Sequence, residues 1–540
     1  MIDDARNVSD GATLETEVCI IGAGAAGITL AREFRNSPFR VLLLEGGGEM
    51  FSAQSQAIYR GKNIGHAYYP LHSSRLRYLG GTTNHWGGMS IPFDPIDFEP
   101  RDWVPHSGWP IDHASLDGFI TRAHEVCEIG PVTYSEEYWA PRRGKPPFPI
   151  RGGDLIPRIA QFSPPTRFGT RYRADLEGAQ RLRTLLGANV VEIVANPEGR
   201  LIESVRVATF EGTRFSVRAV VFIVATGAIE NARLLLVSRS VHENGVGNHH
   251  DAVGRYFMER VNCRSGVLVP TNPESVSPFF KQDRIGAMGV NGYLGTSPEW
   301  QTRERVLNSS VHLRGLRSLE VPEVDGARAA LRRIRDSLKE GEIPDDLAGD
   351  VWLVLQDLDD LVAESWDRWR GGADAPPHSG SESATGHPVS LEVWHDVEPA
   401  PNPSSRVKLA EDRDALGMLR IDLDWRLTPD LEGATIRRAL ALLAEEAGRM
   451  GVGRVRMEID AEGDAWVPDV VGSFHQMGTT RMSADPKLGV VNSDCRVHGL
   501  ANLYVAGSSV FSTAGQANPT LCLLALTLRL ADHIRARFES

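Results

Sequence analysis

Val18–Ile21, Val41–Leu44 and Val220–Ala225 are three stretches of the chain that are apolar without interruption. Runs of this length, rich in β-branched residues, fit strands of a parallel sheet buried on both faces. The first and third run into glycine turns, and each turn is followed by a helical pattern, at Ala25–Phe34 and Ala228–Leu236. Leu116–Cys127 also has helical spacing, and Leu521–Ile534 predicts a closing apolar helix. Residues 180–224 break into short strands with a turn at Asn196-Pro-Glu-Gly199, a small antiparallel layer returning to the first sheet. From about 263 to 465 the texture changes to alternating strands. They are interrupted by a charged amphipathic insert, about 325–370, that predicts helices, and by a Gly-, Ala-, Ser- and Pro-rich linker, 371–388, that predicts mobility.

The turn after the first strand is Gly22-Ala-Gly-Ala-Ala-Gly27. In this spacing Gly22 permits a tight turn, Gly24 lets backbone amides approach a pyrophosphate, and Gly27 lets helix and strand pack closely. The N–H groups at the helix start, around Ala26, face the phosphates. Glu45 ends the second strand, where a carboxylate accepts hydrogen bonds from ribose hydroxyls and favours an unphosphorylated ribose. A second strand-and-glycine segment, Asn502–Ser508, lies far along the chain and ends in Gly507-Ser508. One extended cofactor gripped by both segments is the pattern of FAD more than of NAD. The expected fold is α/β: a discontinuous Rossmann-like FAD-binding domain of residues 1–110, 165–262 and 466–540, and a substrate-binding domain of residues 111–164 and 263–465. The sheet of the second domain, mixed or antiparallel, is expected to face the flavin.

Composition narrows the partners. With 540 residues, 41% of them hydrophobic, the chain can bury a large core spread over more than one domain. The net charge is −12 and no basic stripe stands out, which argues against nucleic acid. Cys19, Cys127, Cys263, Cys495 and Cys522 are odd in number and form no C-x-x-C pair, so buried thiols are expected instead of disulfides or a metal site. His242, His249 and His250 cluster without a matching carboxylate or cysteine, which predicts an ordinary loop. The apolar runs fall far short of the roughly 18 residues that cross a membrane. The acidic start Met1-Ile-Asp-Asp carries no signal-peptide pattern, so the expectation is a cytoplasmic protein without a membrane span. There is no G-x-S-x-G and no H-E-x-x-H to support hydrolase chemistry.

Two late segments carry chemistry: Ser473–Met482, containing His475, and Ala506–Thr520, containing Asn518 before Pro519. A flavin that oxidises an alcohol needs a base near the hydroxyl and a partner that orients its oxygen, and imidazole is the natural base near neutral pH. His475 and Asn518 could supply both if their loops converge on the flavin. Taken singly, a lone histidine is more often structural, and Asn-Pro is an ordinary helix entry. Trp394 and His395 are candidate pocket residues, with ordinary strand positions as the alternative.

These motifs, in this order, resemble the glucose-methanol-choline (GMC) flavin oxidoreductases over nearly the whole chain. The matching pieces are Gly22–Gly27 with Glu45, Gly80-Gly-Thr-Thr-Asn-His-Trp86, Ala225–Asn231, Val253–Met258, His475–Met482 and Asn518-Pro-Thr520. The resemblance implies FAD as cofactor, His475 as catalytic base and Asn518 as its partner. It implies further cofactor contacts from Gly81, Thr83, Asn84, His85, Val191, Thr226, Gly227, Asn231, Pro519 and Thr520. The His-Trp pair and the asparagine partner look most like pyranose 2-oxidases and bacterial sugar or C-glycoside 3-oxidases. In several of these the histidine is bonded to the flavin, which makes His85 a candidate covalent anchor, although here Gly87 stands where pyranose 2-oxidases have threonine. The implied reaction is oxidation of a secondary alcohol of a sugar or glycoside to a ketone, with oxygen as electron acceptor. A dehydrogenase of a sugar, polyol or other alcohol that passes electrons to a quinone or protein is the alternative.

Overall fold

The computed structural model describes residues 1–150, 153–164, 166–315, 390–459 and 470–539. The expected insert at 325–370 and linker at 371–388 fall outside the described residues. The three uninterrupted apolar runs sit side by side in one sheet. Val18 pairs with Val41 and Ile21 with Leu44, while Val221 pairs with Val18 and Val224 with Ile21, all in parallel. Apart from Val220, which is 52% exposed, their side chains are fully or almost fully buried, as a parallel sheet covered on both faces requires.

Among the described residues this sheet has eight strands. Ile2–Asp4, Leu182–Leu186, Val41–Glu45, Thr13–Ile21 and Arg214–Val224 lie in that order, followed by Ile202–Ala208 and Asn189–Ala195 as the antiparallel layer. The short strand Leu503–Val505 joins Arg214–Val224 in parallel, with Val505 opposite Val224. Val224 therefore pairs with Ile21 on one side and with Val505 on the other. The helices Ala25–Phe34, Asp117–Cys127 and Thr520–Glu539 pack together, the last burying Leu521, Leu524, Leu528 and Ala531 at helical spacing.

A second sheet of nine described strands is antiparallel throughout, with a central order of Val261–Pro270, Leu391–Val397, Ser309–Gly315, Met288–Thr296 and Leu155–Phe162. Its strands alternate. Val311, Leu313, Leu391, Val393 and Leu268 point to one face and form a separate core with Ala439, Leu440 and Leu443. Those last residues belong to a helix, Pro429–Arg449, of 21 residues. The strand-like texture expected up to about 465 does not hold here. The segment opens with Pro429 at its first turn and acids Asp430 and Glu432, ends in Arg449, and repeats apolar residues every three to four positions, all helix signals. Fully burying a leucine such as Leu440 stabilises the fold by about 1.5–3 kcal/mol relative to exposure. The opposite face of this sheet carries Asn262, Arg264, Ser310, His312, Arg314, Trp394 and Asp396. A small third sheet joins Arg406–Arg413, Leu419–Asp424 and Lys62–Asn63.

All five cysteines are buried free thiols. No helix among the described residues is long and apolar enough to cross a membrane. His242 and His249 meet edge to face at 5.1 Å between ring centres.

Candidate active site

The first sheet ends in a set of tight backbone contacts. Gly22 takes φ +103°, and its N–H donates to the carbonyl of Leu44 at 2.7 Å. A Cβ at Gly27 would lie 1.8 Å from the Gly22 carbonyl oxygen, so turn and helix touch directly. The helix that follows starts at Gly24 with no side-chain cap, which leaves its first N–H groups open. Glu45 is buried; one carboxylate oxygen accepts from the Ala23 N–H at 2.9 Å and the other from Gly47 at 2.7 Å. The 3-10 turn Gly81–Asn84 lies against this loop, with Thr83 Oγ1 donating to the Gly80 carbonyl at 2.6 Å.

A continuous cavity of about 950 Å³ opens beside these elements. Gly22, Gly24, Ala26, Glu45, Gly81, Thr83, His85, Thr226, Gly227, Gly507, Ser508, Pro519 and Thr520 line it, together with His475 and Asn518. Four expected cofactor contacts do not line it. Gly27 is consumed by the helix–turn approach. Asn84 turns its Nδ2 back to the Leu79 carbonyl at 2.9 Å. Val191 sits where the strand register shifts, and its neighbours Ala188 and Val190 face the cavity instead. Asn231 is fully buried and acts as a stitch. Its Oδ1 accepts from Thr226 N and Oγ1, both at 2.7 Å, and its Nδ2 donates to the Ala506 carbonyl at 3.1 Å and Ser509 Oγ at 2.8 Å.

The residues present fit a bound FAD. A Cβ placed on Gly24, Gly227 or Gly507 meets nothing within 4 Å, so open space adjoins bare backbone at three points of the wall. Gly24 and Gly227 begin helices whose N-termini have no side-chain cap, the arrangement that receives a pyrophosphate. Each Glu45 oxygen keeps a free lone pair for a ribose hydroxyl.

His475 is held by its backbone. The buried carboxyl of Glu259 accepts from Ser473 N at 3.0 Å and His475 N at 2.7 Å through one oxygen, and from the Tyr68 hydroxyl at 2.6 Å through the other. Burial pushes this carboxyl up to about 7 despite those three donors. The clamp holds Phe474 at φ +61°, in the left-handed region that costs a phenylalanine on the order of 1 kcal/mol or more. Phe474 stacks on Tyr69 with ring centres 4.1 Å apart. Gln476 donates to the Tyr68 hydroxyl and to Ser74 Oγ, fixing the other flank. The His475 Nδ1 is buried without a partner. Burial first, and then the guanidinium of Arg260, hold this imidazole well below the ordinary histidine range, with Asp396 opposing them. At neutral pH it is an uncharged base.

Asn518 faces the same cavity and accepts a hydrogen bond from Arg260 Nη1 at 2.6 Å. His85 lines the cavity as well; burial, followed by the charge of Arg167, brings it down to about 4. Of the two candidate strand residues, Trp394 lines the cavity and His395 does not. Alternation turns His395 to the buried face, where burial lowers it to about 4. Sequence reading missed Glu259, Arg260, Asn262, His312 and Asp396. For Asn262, His312 and Asp396 the signal was the alternation itself, polar side chains at every second position of three strands, which reads equally well as a solvent face. Glu259 and Arg260, consecutive and just ahead of the strand Val261–Pro270, carried no such pattern.

Residues 17–244 match the family described as FAD dependent oxidoreductase, and residues 401–527 match GMC oxidoreductase. The chain is 24% identical to 6'''-hydroxyparomomycin C oxidase of Streptomyces lividus, over 96% of this chain and 92% of that one. It is 27% identical to C-glycoside 3-oxidase of Microbacterium trichothecenolyticum, over 65% of this chain and 53% of that one. Among solved structures, formate oxidase shares the fold at a TM-score of 0.57 and 18% identity, covering 98% of this chain and all of the other.

Proposed function

From the premise that this chain is an FAD-dependent oxidoreductase of the GMC family acting on CH–OH groups, we propose that it oxidises a secondary alcohol of a sugar or glycoside to the ketone, with oxygen as electron acceptor. The observation that carries this reading is an uncharged imidazole, His475, and an amide, Asn518, lining one cavity together with Asn262, Arg314 and Trp394 of the antiparallel sheet's polar face. Bound FAD supplies the hydride-accepting centre. His475 receives the hydroxyl proton, and Asn518 holds the oxygen so that the C–H bond stays aligned. Asn262, Arg314 and Trp394 offer hydrogen-bonding groups and an aromatic face to the rest of a polyhydroxylated ring. The same reading assigns the FAD to residues 1–110, 165–262 and 466–540, and the substrate to 111–164 and 263–465.

His85 is the proposed covalent anchor of the flavin; it lines the cavity and is uncharged at neutral pH, as a nucleophilic nitrogen must be. Acid precipitation decides this point, since an attached flavin stays in the pellet and a yellow supernatant with a colourless pellet ends the idea. The reaction itself is tested by anaerobic flavin bleaching with monosaccharides, aryl C- and O-glycosides, polyols and sterols, followed by admission of air. Bleaching by a sugar or glycoside with fast return of colour is the expected result. Bleaching only by non-sugar alcohols overturns the substrate class, and slow return of colour overturns oxygen as acceptor.

A further inference from the structure

Arg260 stands between the two regions that build the cavity. Its Nη1 lies 2.6 Å from Asn518 Oδ1, 3.2 Å from Asp396 Oδ2 and 3.4 Å from the Gln516 carbonyl. Asn518 precedes the helix of the FAD-binding side, and Asp396 belongs to the strand Leu391–Val397 of the antiparallel sheet. The anchor is firm. Asp396 also takes Asn262 Nδ2 at 2.6 Å and His312 Nε2 at 3.1 Å. Asn262 and Ser310 are its register partners on the two flanking strands. Ser310 Oγ lies 3.2 Å from His312 Nε2 and donates to Gln516 Oε1 at 2.9 Å, which returns the network to the Asn518 loop. Arg260 and Asp396 are both buried.

A guanidinium has only N–H donors. The atom it touches on Asn518 must therefore be the amide oxygen, and the amide Nδ2, a donor, is what remains to meet a ligand. We propose that Arg260 is a positioning residue that fixes the polarity of Asn518: it occupies Oδ1, turns Nδ2 toward the substrate oxygen and strengthens that N–H as a donor. This rests on the alcohol-oxidation reading. It divides the work between the two catalytic groups, because an asparagine pinned this way can donate to the developing alkoxide but cannot take its proton. His475 is then the sole proton acceptor. A charge-assisted bond in a dry site also polarises the amide beyond what a neutral partner would achieve.

The test is a double-mutant cycle on the holoenzyme, read by the limiting rate of anaerobic flavin reduction and by substrate affinity. Arg260→Met is expected to lower the limiting rate by about 10- to 100-fold while affinity changes little, the pattern of a lost transition-state donor. Arg260→Lys should recover part of it. Asn518→Asp, which can still accept from Arg260 but has no donor, should fall as far as Asn518→Ala. Arg260→Met should add almost nothing in an Asn518→Ala background, and an equal loss in both backgrounds overturns the proposal. Arg260→Gln replaces Arg260→Met if the latter does not fold. A second readout needs no turnover. In 15N-asparagine-labelled holoenzyme, the Asn518 Nδ2H2 signal, identified by its absence in Asn518→Ala, should move in Arg260→Met and return toward its original position in Arg260→Lys. An unmoved signal also overturns the proposal. If no alcohol reduces the wild-type flavin, the oxidation reading fails, and the amide signal still decides whether Arg260 holds Asn518.

Discussion

The parallel sheet and the antiparallel sheet build one cavity by opposite means. The parallel sheet contributes mainly backbone: Gly24, Gly227 and Gly507 adjoin open space, and most of its side chains are consumed in the core. The antiparallel sheet contributes side chains. One face is core; the other is a grid of Asn262, Arg264, Ser310, His312, Arg314, Trp394 and Asp396, from which Asn262, Arg314 and Trp394 line the cavity. A backbone cradle recognises what every FAD shares. On the proposed function, substrate choice falls to the side-chain grid, which can be rewritten one residue at a time without disturbing the strands.

The contrast is open to attack by mutation, most strongly at the base. His475→Ala should lower flavin reduction by substrate about 10²- to 10⁴-fold with FAD still bound. Normal reduction measured by stopped flow would remove His475 from its role. Next is Leu440→Ala, which opens the core behind the grid and should cost about 2–5 kcal/mol in urea unfolding. Gly27→Ala should be costlier for the cofactor than for the fold. Its Cβ would strike the Gly22 carbonyl, so an overpacking loss of about 1–3 kcal/mol should come with loss of bound flavin, measured by the ratio of visible to protein absorbance.

The smallest effect concerns pH. The Glu259 carboxyl sits at about 7, above the ordinary glutamate range near 4.3. The folded state therefore favours its protonated form. That contribution is complete below the ordinary range and is lost as pH rises through about 7, on the order of 2 kcal/mol of it between pH 5 and pH 7. Glu259→Gln keeps one oxygen for the Ser473 and His475 amides and an N–H₂ for Tyr68. It should lose less stability than wild type between pH 5 and pH 7, and equal losses in paired denaturation curves would remove Glu259 as the titrating group. Glu259→Ala should instead release Phe474 from its left-handed conformation and slow catalysis.

The parallel sheet was largely legible because its rules are local. Uninterrupted apolar runs and a fixed glycine spacing have a direct structural meaning here, and the strands Thr13–Ile21 and Val41–Glu45 and the helix Ala25–Phe34 follow from them. Gly27 takes the helix–strand packing role its spacing predicts. Asn231, expected at the cofactor, spends its amide on Thr226, Ala506 and Ser509. Val191, expected there too, adjoins the cavity-lining Val190. The antiparallel sheet was far less legible. Its alternation separates two faces but does not say whether the polar one meets water or a ligand, so Trp394 and His395 looked alike before the fold separated them. Arg260 and Asp396, distant in sequence, acquire meaning only once the strands Val261–Pro270 and Leu391–Val397 are neighbours.

Val224 pairs with Ile21 and Val505 at once, and this has a consequence in time. The apolar strands near the start of the chain are made early, but one neighbour of the central strand, and both Ser508 and Asn518 of the cavity wall, follow almost three hundred residues later. Contacts of such long sequence separation form late and slowly. During synthesis, the Phe222–Val224 edge waits without its Leu503–Val505 partner, exposed to aggregation until the last segment arrives. Flavin capture would then mark the end of folding, and a nascent chain stopped before residue 503 would carry the phosphate loop without being able to close the site around its cofactor.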